Sequence, residues 1–575
     1  MSSTRQKARG HATAVTATAT LKPAQEARLW HYGVGLTLAF FVLLTIYGPA
    51  LHGPFLMDDR YQPYTLGSFI GAPLSQWLRG PRPLLEFTYW LNYAAGDQNT
   101  YPYHFVNVIL HLLNGLWIYF ILRKLLDWAG TAKWPREMTA VFCAGLFWCH
   151  PLQTESVSYI ASRSETLSVF FLLTAYTVFL YRKPTAISWL AAAAVLVLFG
   201  AAVLSKEHTA VLIALLLLTD FYWNPAFSIQ GIRNNWRLYI PFLAAAALGG
   251  WFIFRILSAA KTAGFGVMPW YEYFFSQCRA IWVYVRLFVL PFGQNLDPDF
   301  PVSHSVVEHG AIVGLLALVA CAVAAWIWRR RYPLASFGFF TFLLLLAPTS
   351  SFVPIADLMA ERRMYLPFIG ALLIVAEFVR RWKASRNVVI GSLAGILFVE
   401  GFLTWQRNQL YADSVAIWKD TVEKSPKKSR PGFQLAQAYY EESRFSEAAS
   451  EYARTAPLGK PDDGLLINWG LALDEMGDRN QALEKMKEAA ALNPTAHVYS
   501  QMTKVYAEMQ NYSAAAAATE QSLKIDPNFA LSYYYRGNLD LVQGDTARAV
   551  QDYNHALELD PHLQFARDAL SRIQH

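Results

Sequence analysis

Residues 29–51 read LWHYGVGLTLAFFVLLTIYGPAL, a run without a single Asp, Glu, Lys or Arg. A helix needs about 20 apolar residues to cross the hydrocarbon core of a bilayer. This run has them. It is too long for the core of a secretory signal and lacks a clear cleavage pattern, so it is expected to stay in place as a first membrane span. Outward from it the chain divides. Residues 1–28 are rich in Thr, Ala and basic residues and are expected to form a disordered cytoplasmic tail. Residues 29–404 alternate apolar blocks with short basic segments, whereas residues 405–575 have the polar, Ala-rich composition of a soluble protein. The whole-chain averages, 54% apolar and 16% charged, blend these two regimes.

Further apolar blocks fall at about 104–126, 137–153, 165–181, 186–204, 208–223, 237–255, 310–328, 333–350, 364–380 and 387–404, giving about eleven spans. The formal charge of +7 does not point to nucleic acid, because the basic residues sit in short segments between blocks, as topology determinants do. With the N-terminus in the cytoplasm, Arg123, Lys124, Arg182, Lys183, Arg329, Arg330, Arg331, Arg380 and Arg381 all fall on the cytoplasmic side. The segment 274–290 carries Gln277, Arg279 and Arg286. Two arginines make a free-standing span costly, so this segment is expected as a re-entrant or interfacial helix on the outer side, which leaves an odd count and the tail outside; if it crosses, the repeats lie inside. Cys143, Cys149, Cys278 and Cys321 have neither CxxC nor metal-ligand spacing and read as buried thiols.

In the tail, Pro426, Pro461, Pro494, Pro527 and Pro561 recur at spacings of 35, 33, 33 and 34. This is the period of tetratricopeptide repeats (TPRs), paired helices closed by a proline that stops the second. Small residues recur in register: Gly470, Gly477, Ala482 and Ala489 in one unit, Gly537, Gly544, Ala549 and Ala556 in another. About four repeats are expected over 429–562, followed by a capping helix to Gln574. Such an array is a binding scaffold and has no catalytic constellation. The expected fold class is all-α, a polytopic membrane helix bundle followed by a TPR α-solenoid.

Unusual polar residues of the apolar half fall toward one face. The outer loop at 51–103 holds Asp58, Asp59, Arg82 and Glu86, and the next span opens with His104, Asn107 and His111, three and four apart and so on one helical side. His150 and Glu155 follow one span, Arg163 and Glu165 open the next, Lys206 and Glu207 follow another, and Asp357, Glu361, Arg362, Arg363 and Tyr365 join two later ones. Polar groups at membrane depth are costly and tend to mark substrate paths. Each also has a plainer reading, as a helix cap, an interfacial hydrogen bonder or an ion pair. Gathered on the side poor in positive charge, they suit transfer from a polyprenyl-phosphate sugar. Cations would hold the phosphate as charge builds on it, and a carboxylate would take the proton of the acceptor hydroxyl. A single displacement would invert the sugar. No Walker loop, dinucleotide fingerprint or zinc motif is present, which argues against nucleotide-driven chemistry.

The string Arg82–Pro83–Leu84 through Leu91–Asn92–Tyr93 and Gly96, then Tyr103–His104–Phe105–Val106–Asn107–Val108 with His111, resembles the transmembrane and TPR-containing O-mannosyltransferases that act on cadherins in the endoplasmic reticulum. So do His150–Pro151 with Thr154–Glu155, Ser162–Arg163–Ser164–Glu165, Leu204–Ser205–Lys206–Glu207, and Glu361–Arg362 with Tyr365–Leu366–Pro367. The resemblance implies a GT-C fold, dolichyl- or undecaprenyl-phosphate mannose as the donor, and a protein Ser or Thr hydroxyl as acceptor; no cofactor is expected beyond this lipid-linked co-substrate, with a divalent metal left open. It places the base at Asp58 or Asp59 and matches Arg362 to the family's Glu-Arg motif, from which Arg363 departs. Donor contacts are expected from Arg82, His104, Asn107, His111, His150, Glu155, Arg163, Glu165, Lys206, Glu207, Glu361, Arg362 and Tyr365. With about four repeats the chain looks like a bacterial relative. That implies an inner membrane rather than an endoplasmic reticulum one, with site and repeats on the non-cytoplasmic face and the repeats recruiting the acceptor. Two other readings stand beside this one: the same chemistry on a glycolipid or cell-surface polymer, and a non-catalytic membrane-anchored TPR scaffold.

Overall fold

The computed structural model describes residues 29–183, 186–245 and 268–574, and every regular element among them is helical. The tail at 1–28 and the later part of the block at 237–255 lie outside the described residues. Among the described residues the apolar half is built chiefly from α1 (Leu29–Tyr47), α2 (Pro83–Gly96), α3 (Thr100–Trp128), α4 (Lys133–Cys149), α5 (Arg163–Leu180), α6 (Trp189–Ser205), α7 (Leu212–Trp223), α8 (Trp270–Val289), α9 (Ala311–Ile327), α10 (Pro333–Leu346), α11 (Phe368–Val379) and α12 (Arg386–Tyr411), and residues 236–245 are helical as well.

Among the described residues, four helices are long and apolar enough to cross a membrane, Tyr32–His52, Thr100–Trp128, Glu308–Ile327 and Arg386–Tyr411, while Trp189–Ser205, Pro333–Leu346 and Phe368–Val379 are apolar but shorter. Several expected blocks thus give helices below full spanning length. Proline is one reason, since it cannot donate to the helical ladder and biases its predecessor away from the helix. Pro151 follows the end of α4, Pro348 the end of α10, and α11 starts only after Pro367. Small residues let these helices touch: a Cβ on Gly338 of α10 would lie 2.6 Å from the carbonyl oxygen of Gly370 on α11.

The segment with two arginines forms α8. Near its start, Tyr273 Oη donates to the Thr349 carbonyl just past α10 (2.6 Å), and near its end the Phe288 carbonyl accepts from His150 Nε2 just past α4 (2.9 Å). Both ends of α8 therefore meet the same end of the bundle, and the helix lies across it. Of the four long apolar helices, the one containing α9 is the least buried, so Cys321 on it is exposed, contrary to expectation, while Cys143, Cys149 and Cys278 are buried.

Helix α13 (Ser414–Lys424) leads from α12 into a stack of antiparallel pairs: α14 (Ser429–Glu441) with α15 (Phe445–Thr455), α16 (Asp463–Glu475) with α17 (Arg479–Leu492), α18 (Ala496–Glu508) with α19 (Tyr512–Ile525), and α20 (Ala530–Val542) with α21 (Thr546–Leu559). Helix α22 (Gln564–Gln574) follows. Side chains cap the starts: Asp462, Asp478, Asn511 and Asp545 each accept the backbone N–H three residues on. Glycine permits the close crossings, since a Cβ on Gly537 would lie 2.8 Å from the Tyr553 ring.

Candidate functional site

A polar stripe runs along α3 and faces inward. His104, Asn107, His111 and Asn114 are all buried. Burying a polar group without a partner is costly, so such groups find one. His104 Nε2 donates to the Gly53 carbonyl (3.2 Å), and Asn107 donates to Val157 O (3.2 Å) while accepting from Arg163 Nε (2.9 Å). His111 Nε2 donates to Trp148 O (3.3 Å), which leaves its Nδ1 to accept from Tyr365 Oη (3.0 Å), and Asn114 donates to Thr166 O (2.9 Å). The guanidinium of Arg163, also buried, takes Asn107 Oδ1 and the Thr88 and Tyr103 carbonyls, with the Tyr89 ring 4.7 Å away. His150 is held on both nitrogens, Nδ1 accepting from Leu152 N–H and Nε2 donating to Phe288 O. Most bonding atoms of these residues, expected to touch the donor, are turned to protein groups, while the buried His104 Nδ1 and Asn114 Oδ1 have no partner among the described residues. Together they form a buried polar framework.

Above this framework lies a set of ion pairs. Arg82, at the start of α2, pairs with Glu207 (2.8 and 3.2 Å). Lys206 pairs with Glu165, and His208 Nε2 lies 3.3 Å from the same carboxylate. The Arg362 guanidinium pairs with the buried Glu155, whose other oxygen accepts the Arg362 backbone N–H (2.9 Å), and lies 3.8 Å from Asp357. Burial pushes the Lys206 ammonium down; Arg82 and Arg362 push the same way and Glu165 opposes them. Two cations from other segments, Arg82 and Arg362, thus lie near enough to Lys206 to oppose its charge.

The adjacent Asp58 and Asp59 part company. They share a 3-10 turn, Met57–Tyr61, whose first residue has φ of 43°. Such left-handed backbone is strained for any residue but glycine. The turn sends Asp59 inward, where its carboxylate accepts from Leu56 N–H (2.9 Å), Tyr64 Oη (2.9 Å) and Ala161 N–H (2.7 Å). Burial lifts that carboxyl to about 7 against the pull of these donors. Asp58 is exposed, its backbone N–H donating to Tyr159 Oη (2.9 Å). Burial pushes the Tyr159 phenol up, with Asp59 and Asp58 acting the same way and Arg362 against them. Glu361 behaves like Asp59: it accepts from Gln294 Nε2 (3.0 Å) and Asn295 N–H (2.6 Å), and burial lifts it to about 7.

The first repeat meets the same loops. Arg430 of α14 bridges Asp297 and Asp357 (2.8 Å to the latter), Lys428 also takes Asp297, and Glu441 holds Arg60 in a two-point pair (2.5 and 3.0 Å). Tyr159, Asp297 and Arg430 lie outside the residues that the sequence singles out. A lone Tyr in SVSYIAS and charges in polar loops carry no periodic signal. Among the described residues, no group of three His, Cys, Asp or Glu side chains is placed to hold a metal ion.

A tetratricopeptide-repeat family profile matches residues 530–563. The human protein O-mannosyl-transferase TMTC3 is 24% identical over 86% of this chain and 59% of its own length. The Caenorhabditis elegans protein O-mannosyl-transferase F38B6.6 is 24% identical over 64% of this chain and 52% of its own length. The Drosophila melanogaster protein O-mannosyl-transferase Tmtc1 is 30% identical over 27% of this chain and 19% of its own length. The chain spans under two thirds of the length of each of these relatives. The resemblance read from separated motifs thus extends over most of the sequence: the chain is similar to protein O-mannosyl-transferases and carries a tetratricopeptide-repeat match.

Proposed function

We propose that this chain is a membrane glycosyltransferase of GT-C type that moves mannose from a polyprenyl phosphate to a Ser or Thr hydroxyl of a protein brought by the repeats. The observation that carries the reading is the split between the two aspartates beside the cation set. An exposed Asp58 can meet an acceptor, and Arg362, Lys206 and Arg82 can meet a phosphate. Asp58 takes the proton as the hydroxyl oxygen attacks the anomeric carbon; the carbon–oxygen bond to phosphate breaks, and its electron pair leaves on the polyprenyl phosphate. The cations stabilise that charge as it forms. Asp59 and Glu361 hold the turn and the 291–300 loop in place. In this reading the apolar half crosses the bilayer about eleven times, an odd number, in a bacterial inner membrane. Site and repeats then face away from the cytoplasm. Support for a protein acceptor comes from α14, which packs against Arg60 two residues past Asp58.

Membranes containing the full chain are incubated with labelled polyprenyl-phosphate mannose and an extract of candidate acceptor proteins. Asp58→Asn is expected to lower transfer by about 10²–10⁴-fold with the melting temperature kept. Asp59→Asn puts an amide donor among three donors, and should destabilise by about 1–3 kcal/mol with a smaller effect on rate. Wild-type transfer by Asp58→Asn removes the carboxylate mechanism.

A further inference from the structure

At the end of the bundle opposite the aspartates, α9 stops at Ile327 and is followed by Trp328–Arg329–Arg330–Arg331–Tyr332. The helix is apolar and mostly uncovered by protein, so its flank is the surface acyl chains would contact. An apolar flank that ends in tryptophan and arginine marks the depth of the phosphate layer. There a cleft of about 440 Å³ opens between α7, α10 and the end of α3, lined by Trp128, Trp223, Phe227, Pro333, Arg329 and Arg330.

The cleft is lined by two guanidinium groups, and Arg329 Nη1 donates to the Trp326 carbonyl (2.6 Å). Arg329 stacks 4.1 Å from the Trp326 ring and 5.2 Å from Phe227, and Arg330 lies 5.9 Å from Phe227. Neither guanidinium has a carboxylate within 4 Å among the described residues. The carboxylates of this end are committed elsewhere: Asp220 to Arg182, Glu377 to Arg380 and Arg381, Asp127 to Arg136. Lys124 adds a further positive charge 5.6 Å from the Trp128 ring. Two buried N–H donors of the wall, Trp223 Nε1 and Arg329 Nε, have no partner. Buried donors left unsatisfied are rare, and each calls for an acceptor.

We infer that this cleft binds the headgroup phosphate of an anionic phospholipid, whose acyl chains lie along α9. Arginine suits a phosphate because its fork presents parallel donors, and its stacking on aromatic rings holds that fork in place. The choice of a lipid over a free phosphate follows from continuity with the uncovered flank of α9. This site is independent of the sugar-transfer reading, since it lies at the other end of the bundle and shares no residue with it.

The full chain, purified in detergent, is supplied with equal amounts of phosphatidylglycerol and phosphatidylcholine, and retained lipid is counted by native mass spectrometry. Wild type should prefer phosphatidylglycerol, and Arg329→Gln with Arg330→Gln should cut its retention by about tenfold. Arg479→Gln in the repeats serves as a control and should leave retention unchanged. Equal retention of the two lipids by wild type overturns the proposal without recourse to any variant. So does undiminished phosphatidylglycerol binding by the double variant. Displacement of the lipid by millimolar inorganic phosphate alone would make it a soluble-anion site and also overturns it.

Discussion

The first and last repeats use one architecture for two purposes. In the last, Arg536 of α20 pairs with Asp552 of α21 (2.6 Å) and Tyr553 Oη donates to Asn538 (2.7 Å), so its charges are settled within the helix pair. In the first, Arg430 of α14 reaches out of the stack to Asp297 and Asp357, and Glu441 reaches to Arg60. The two arginines are equally exposed, 41% and 42%, yet only one ends on a loop that also touches Arg362. Repeat units contact mainly their neighbours. The first one has the bundle as a neighbour, and so becomes a wall of the site.

The sharpest way to break this contrast is at Arg362 itself. Arg362→Met leaves Glu155 buried without its cation, a change that costs about 3–5 kcal/mol and should lower transfer by about 10²–10³-fold. Arg362→Lys keeps the charge but not the fork, and should recover stability more than rate. A melting curve and a transfer assay read the two separately. Wild-type transfer by Arg362→Met would remove the cation set from the chemistry.

One step outward, Arg430→Met and Arg536→Met form a matched pair. The two arginines are equally exposed; Arg430→Met removes pairs to Asp297, which keeps Lys428, and to Asp357, and Arg536→Met removes one to Asp552, each pair worth about 1 kcal/mol or less after solvent screening. Only Arg430→Met frees Asp357, so it should lower transfer by about tenfold through a displaced Arg362, with faster proteolysis between α13 and α14. Arg536→Met should leave transfer unchanged. Equal loss from both, or from neither, erases the distinction between proximal and distal repeats.

The sequence shows why one side of this contrast was legible and the other was not. Apolar runs and a proline period of about 34 are local signals, so α1, α3 and the helix pairs could be read directly. The spacing of His104, Asn107 and His111 placed them on one helical side, and the structure keeps them there. What spacing could not give was whether that side faces a ligand or the Gly53, Val157 and Trp148 carbonyls. Nor could it separate Asp58 from Asp59, since only the backbone of a 3-10 turn sends one in and the other out. Arg430 and Asp357 are 73 residues apart, and each alone reads as a solvated loop charge. Pairing across such distances is a property of the folded chain.

The smallest effect belongs to the turns inside the pairs. Gly477 and Gly544 close two of them with φ of 84°, but the matching positions in the other two are Ser443 and Gln510, both at φ of 59°. A side chain in this region crowds its own carbonyl, whereas glycine does not. Gln510→Gly should therefore stabilise α18 and α19 by about 0.5–1 kcal/mol, the relieved strain exceeding the entropy glycine adds to the unfolded chain. Slower hydrogen exchange in α18 and α19 of the full protein is the readout. Ser443→Gly tests the contrast itself. Its turn joins α14, pinned to the bundle at Arg430 and Glu441, to α15, so opening there already requires breaking those ion pairs. The same relief of strain should change exchange in α14 less than Gln510→Gly changes it in α18. An equal gain at both turns would mean that the first repeat opens as freely as the third, and that its ion pairs to the bundle do not hold it.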